Sequence, residues 1–333
     1  MALAPYSCAR DEFKGEASVY IDANENPYNN GINRYPDPRQ LKVKELLAPI
    51  KGVAVEQIFL GNGSDEAIDL VYRIFCRPGV DNVVAPAPTY GMYQVCAEVN
   101  DVEYRAVPLQ AETFALDVEA LAAKVDANTK VIWVCSPNNP SGNAYSQEQL
   151  ISIVQRFPDQ IVVVDEAYID FSSIPSMTSQ LDKFDNLIVL QTFSKAWGCA
   201  AMRLGIAMAS AKIISFFNNV KYPYNVNELT QNQAIKVLND VKRKERHVEE
   251  ILSQREILRE LLLTLPCVKK IYPSDANFLL VKVSDANGTY KYLQSKGIIV
   301  RNRNKVQLCE NCLRITVGTP EENAELFEAM KAL

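Results

Sequence analysis

The chain has 333 residues, of which 48% are hydrophobic and 23% charged, longer than one average domain of roughly 100–200 residues, so two folded units are expected. Its 35 basic and 40 acidic residues are interspersed, and the formal charge of -5 leaves nucleic acid no basic footprint. No apolar run approaches the roughly 18 residues that a membrane span needs, so no membrane association is expected.

From the start, Met1 to Lys14 lacks a basic segment followed by an apolar one and carries Pro5, Arg10, Asp11 and Glu12. That is not the pattern of a signal peptide, and a cytoplasmic location is expected. Residues 1–34 hold little periodicity and several turn formers, Asn24, Asn26, Pro27, Asn29, Asn30 and Gly31, which predicts an arm laid over the body. Over 35–226, short apolar stretches alternate with helical ones. Strands are predicted at Gln57 to Leu60, Asn82 to Pro86, Lys130 to Cys135, Ile161 to Asp165, Asn186 to Thr192 and Leu204 to Ala209. Helices are predicted at Ser64 to Phe75, Thr89 to Val99, Ser146 to Phe157 and Ala211 to Val220, with Ser64 and Ser146 as N-caps and Gln149 as a capping-box partner.

This alternation predicts an α/β fold with a mostly parallel sheet flanked by helices. Residues 227–333 read as a smaller α+β domain: a charged helical stretch from about Asn227 to Leu265, then strands at Phe278 to Val283, Gly297 to Arg301 and Leu313 to Val317.

His247 is the chain's single histidine and sits in the charged run Lys242 to Glu250, which reads as a solvated helix face. Hydrolases that need an imidazole beside a nucleophile are thereby disfavoured, leaving Lys, Tyr or a carboxylate for proton transfer. The eight cysteines are too dispersed for a disulfide framework. Cys309 and Cys312 form the one CxxC, but no second ligand pair lies near in sequence and no metal is expected.

In open α/β sheets ligands sit at the carboxyl ends of strands. Four apolar runs end in polar residues: Gly61 to Glu66, Cys135 to Gly142, Asp165 to Tyr168, and Thr192 to Lys195. Gly61 to Glu66 reads either as a simple turn or as an anion site, where small residues bring the NH groups near Ser64 and Asp65 up to a phosphate. Asp165 closes a buried-strand pattern and needs a cation, either a structural salt-bridge partner or a protonated ligand nitrogen. Lys195 alone is compatible with a surface lysine, and Tyr90 alone with a core aromatic.

Taken together, NENP at Asn24 to Pro27, SPNNPSG at Ser136 to Gly142, DEAY at Asp165 to Tyr168, TFSKAWGCAAMRLG at Thr192 to Gly205, and LRITVG at Leu313 to Gly318 resemble the fold-type-I aminotransferases. Within that family they are similar to the branch acting on histidinol phosphate, in the same order from about Tyr6 to the C-terminus. Ser141 stands where Thr is frequent in the family, a change that should be tolerated.

The resemblance implies a large cofactor-binding domain over 35–226 and pyridoxal 5'-phosphate as cofactor. Lys195 would hold the cofactor as a Schiff base and then serve as the catalytic base. Asp165 would keep the ring nitrogen protonated, Asn139 and Tyr168 would hydrogen-bond the phenolic oxygen, and Tyr90 would stack on the ring. The cofactor phosphate would be held by Ser64, Asp65, Ser194 and Arg203, with Tyr35 reaching in from a second subunit of a homodimer.

Arg314 would take the substrate α-carboxylate and Arg301 the substrate phosphate, with Tyr6 as helper. Arg303 is open to a role as a surface charge. The implied reaction converts imidazole-acetol phosphate and L-glutamate to L-histidinol phosphate and 2-oxoglutarate, a step of histidine biosynthesis. Rival readings are an aromatic aminotransferase, a threonine-phosphate decarboxylase or a non-catalytic binding protein; the last is disfavoured because neither spare length nor a basic patch is present.

Overall fold

The computed structural model describes residues 9–13, 15 and 17–333. Seven strands form the main sheet: β1 (Ile58–Asn62), β2 (Asn82–Ala87), β3 (Glu103–Pro108), β4 (Thr129–Cys135), β5 (Ile161–Asp165), β6 (Leu187–Thr192) and β7 (Leu204–Ala209). Their order is β1-β7-β6-β5-β4-β2-β3. β2 to β6 pair in parallel, while β7 runs antiparallel to both of its neighbours. The mostly parallel sheet expected from the alternating pattern is therefore present. β3 escaped the sequence reading because it is a charged edge strand, EYRAVP, without an apolar run.

The helices are α1 (Ala9–Glu12), α2 (Leu41–Lys51), α3 (Gly63–Phe75), α4 (Met92–Val99), α5 (Val118–Ala122), α6 (Gln147–Arg156), α7 (Ala211–Val220), α8 (Glu228–Leu238), α9 (Val241–Leu263), α10 (Ala286–Ser295) and α11 (Pro320–Lys331). Alternate residues of the central strands enter different layers. Ile132, Val134, Val162 and Val164 pack with Leu47 of α2 and Ile153 of α6. Val131, Trp133 and Val163 pack with Ile68 of α3, Tyr93 of α4 and Phe217 of α7. Both faces are covered, which is why the strands read as unbroken apolar runs. Val162, Val163 and Val164 are fully buried, each contributing roughly 1.5–3 kcal/mol of transfer free energy.

Ser146 caps α6 as expected, accepting from Gln149 N–H at 3.2 Å. The reciprocal bond does not form, because the Gln149 amide donates to Leu116 O at 3.4 Å instead. Ser64 is not a cap: α3 starts at Gly63 with Asn62 before it, which places Ser64 in the first turn. The expected helical stretch after Asn227 is two helices, and Asp240 between them accepts from Arg243 N–H at 3.3 Å to begin α9.

The second sheet is antiparallel, in the order β10-β11-β9-β8, from β8 (Val268–Ile271), β9 (Phe278–Val283), β10 (Arg301–Asn302) and β11 (Cys312–Thr316). The strand expected at Gly297 to Arg301 keeps only its last residue. Gly297, at φ +79°, makes the turn after α10, and Ile298 and Val300 pack on the small core from a non-strand segment. Leu313 and Ile315 of β11 join Leu262 of α9, Leu293 of α10 and Leu326 of α11 in that core. Strand alternation sends their neighbours Cys312 and Arg314 to the opposite face, towards the main sheet. Leu280 and Cys312 enter the large core there, and Phe278 meets Tyr168 edge-on at 5.2 Å. Among the described residues no helix is long and apolar enough to cross a membrane.

Candidate active site

Where the small sheet docks, a cleft of about 740 Å³ opens above the ends of β4, β5 and β6. Every site candidate named from sequence lines it except Tyr35 and Tyr6. Tyr6 lies outside the described residues. Tyr35 is half exposed beside a separate cavity next to the arm, where it stacks on Tyr224 at 4.4 Å.

Asp165 ends β5 and is 2% exposed. Its Oδ2 accepts from the Tyr93 hydroxyl at 2.6 Å and its Oδ1 from Ala167 N–H at 3.1 Å. Among the described residues no cation pairs with it, and burial pushes its carboxyl up to about 6. Tyr93 is itself buried and stacks on Trp133 with ring centroids 4.6 Å apart. Sequence reading missed it, since a tyrosine three residues after Tyr90 looks like one more core aromatic.

Lys195 follows β6 in a tight turn and is half-buried, its Nζ 5.5 Å from the Tyr168 ring centre. Burial, and then the Arg314 charge, lower its pKa, while Asp165 opposes the shift. A lysine so placed holds its proton less firmly and is more available as a nucleophile and base. Burial also raises the Tyr168 phenol, which therefore stays protonated and able to donate.

The candidate anion site is assembled by close backbone approach. A Cβ on Gly205 would come within 2.1 Å of Ser64 N, so only glycine lets β7 touch the first turn of α3. Gly63, at φ +70°, donates to Arg203 O at 2.6 Å. Arg203 then reaches Asp65 Oδ2 and Ser194 Oγ, both at 3.3 Å. Tyr90 donates to the other Asp65 oxygen at 2.9 Å. The NH groups of a helix start, a serine hydroxyl and a guanidinium thus converge.

The loop from Ser136 to Gly142 is tied to the Pro88 to Tyr90 loop by Asn138, whose amide donates to Pro88 O at 3.0 Å and to Ser141 Oγ at 2.7 Å. Asn139 is held beside it and accepts from Arg314 Nη1 at 2.6 Å. Arg314 also lies over the Phe278 ring at 5.3 Å. Arg301 is its direct cross-strand partner. Arg303 is not the surface charge that the sequence left open: it lines the cleft, and its buried Nε has no partner.

The family Aminotransferase class I and II matches residues 13–330. The chain belongs to that family. A histidinol-phosphate aminotransferase from Parabacteroides distasonis is 57% identical over 329 residues, covering 99% of this chain and 95% of that protein. Among solved structures, the histidinol-phosphate aminotransferase of Clostridium acetobutylicum superposes with a TM-score of 0.83 at 22% identity, covering 90% of each chain. That of Sinorhizobium meliloti, solved in complex with pyridoxal-5'-phosphate, gives 0.82 at 24% identity, covering 90% of this chain and 82% of that one.

For this aminotransferase the site separates into two ends. Ser64, Ser194 and Arg203 gather at one end and Arg301, Arg303 and Arg314 at the other, with Lys195 and Asp165 lining the same cleft. Among the described residues no three His, Cys, Asp or Glu side chains are grouped to hold a metal. Cys309 and Cys312 are buried free thiols, and His247 is exposed on α9.

Proposed function

We propose that this aminotransferase exchanges an amino group between L-histidinol phosphate and 2-oxoglutarate, using pyridoxal 5'-phosphate, as a cytoplasmic step of histidine biosynthesis. The observation that carries the choice of substrate is the cross-strand pair Arg301 and Arg314. Like charges set directly opposite are unfavourable, and among the described residues no carboxylate neutralises either. A bound oxyanion relieves that repulsion. The substrate class named for the Parabacteroides distasonis relative agrees with this.

The residues fit the cofactor. A fully buried Asp165 without a cation suits a protonated ring nitrogen, and the cup at Ser64, Ser194 and Arg203 suits a phosphate. When bound, pyridoxal phosphate supplies an aldehyde that reacts with amines and a ring that accepts electrons. Asp165 holds the proton on the ring nitrogen. Tyr168 and Asn139 would hydrogen-bond the phenolic oxygen, and Tyr90 would pack against the ring. Lys195 would hold the cofactor through its Nζ and would move the proton at the substrate Cα.

Arg314 takes the α-carboxylate of glutamate, and Arg301 takes the substrate phosphate or glutamate's distal carboxylate. Tyr35 of the partner subunit and Tyr6 complete the two anion sites, which requires a homodimer. Ile21, Tyr28 and Tyr222, 90%, 83% and 76% exposed, supply apolar surface for that contact.

The test is the absorption spectrum of the purified protein, with L-histidinol phosphate, L-glutamate and L-phenylalanine added separately. A visible cofactor band that L-histidinol phosphate discharges fastest at low concentration supports the reading. Equal discharge by phenylalanine indicates an aromatic aminotransferase, and CO2 release from threonine phosphate a decarboxylase. Sedimentation as a monomer would remove the role of Tyr35.

A further inference from the structure

Arg303 is the half-buried charge of the cleft to which the reading above assigns nothing. Its position is fixed by main-chain bonds: Arg303 N–H donates to Cys312 O at 2.9 Å, and Arg303 O accepts from Val306 N–H at 2.8 Å. The first bond continues the β10–β11 ladder one step past Asn302. Residues two apart on a strand share a face, and cross-strand partners share it too. Arg301, Arg303 and Arg314 therefore face the cleft together. Asn302 points the other way, donating to Asn287 Oδ1 at 3.0 Å.

Three guanidinium groups so gathered repel one another. Burial, with Arg314 and Arg301 adding to it, pushes Arg303 down to about 10. Its Nε is shut off from solvent with no hydrogen-bond partner. A desolvated, unpaired cation is costly unless a ligand neutralises it.

Glutamate offers two carboxylates of one charge and two oxygens each, one for the fork of Arg314 and one for that of Arg301. A phosphate monoester carries about two negative charges near pH 7 and three terminal oxygens. We propose that Arg303 is a third substrate-binding arginine that engages the phosphate of the phosphorylated substrate and sets its preference over carboxylate donors. The proposal rests on the reaction assigned above for its substrate and on the strand geometry for its residue.

The test uses cofactor-loaded enzyme, wild type, Arg303→Gln and Arg303→Lys. Half-reactions are followed by absorbance with L-histidinol phosphate and, separately, L-glutamate, and inorganic phosphate is titrated by calorimetry. Arg303→Gln is expected to raise KM for histidinol phosphate about ten- to hundredfold more than KM for glutamate, the loss of one charge-assisted hydrogen bond. The phosphate Kd should rise in step, and Arg303→Lys should recover part of both.

A parallel rise for the two donors, or a phosphate affinity indifferent to Arg303, overturns the proposal. If wild type ignores histidinol phosphate yet binds inorganic phosphate through Arg303, the assigned reaction falls and Arg303 stands as a phosphate ligand.

Discussion

The hydroxyl of Tyr93 donates to Asp165 Oδ2 at 2.6 Å, tying the second residue of α4 to the last residue of β5. This bond favours the charged carboxylate against the burial that opposes it. Tyr93→Phe keeps the stack on Trp133 and removes only the donor. We expect kcat to fall about tenfold, in line with one hydrogen bond to a charged group, with the fold retained by circular dichroism. Full activity with normal cofactor affinity would strip Tyr93 of this role.

Burial also dictates a pH dependence. Asp165 rises from 3.8 to about 6 and Glu166 from 4.5 to about 7, both chiefly by desolvation. A raised carboxyl binds more protons folded than unfolded, so its charged form destabilises the fold; the penalty is absent below about pH 4 and complete above about pH 7. Cofactor-free Asp165→Asn should therefore gain up to about 3 kcal/mol over wild type as pH rises through that window. Urea unfolding at pH 4.5 and 7.5 measures it, and a constant difference between the two proteins would contradict the assignment. Its turnover should collapse, because the partner of the ring nitrogen is gone.

Lys195→Ala should abolish turnover and the visible cofactor band together, while leaving the protein folded. Normal rates in this variant would refute the covalent role.

Gly205→Ala places a methyl 2.1 Å from Ser64 N. Overpacking against a rigid backbone typically costs about 1–3 kcal/mol, and here it also displaces the helix start that forms the anion site. Both a lower unfolding midpoint and weaker cofactor retention are expected. Loss of stability with unchanged retention would show that the cup does not depend on this contact.

Arg301→Ala should weaken phosphorylated substrates far more than aromatic amino acids, compared as kcat/KM. Equal losses would leave the choice of histidinol phosphate without its structural support.

The apolar runs of β2, β4, β5, β6 and β7 were readable because burial on both faces leaves a local signature. β3 left none, being a charged edge. The division between α8 and α9 depends on one short cap at Asp240, a weak signal inside a long charged stretch.

The cleft positions of Asp165, Asn139, Tyr168 and Lys195 were legible for the same reason: each stands at or just past the end of an apolar run. Tyr93, Gly205 and Arg303 were not, because their roles exist only across elements. The carboxylate that Tyr93 meets is 72 positions away along the chain, and Gly205 matters through the helix that starts at Gly63. Arg303 becomes a cleft residue only when the small sheet turns that face towards β4 and β5. Local periodicity records which side of an element is buried, whereas the docking of one buried face on another decides which polar groups share a cavity.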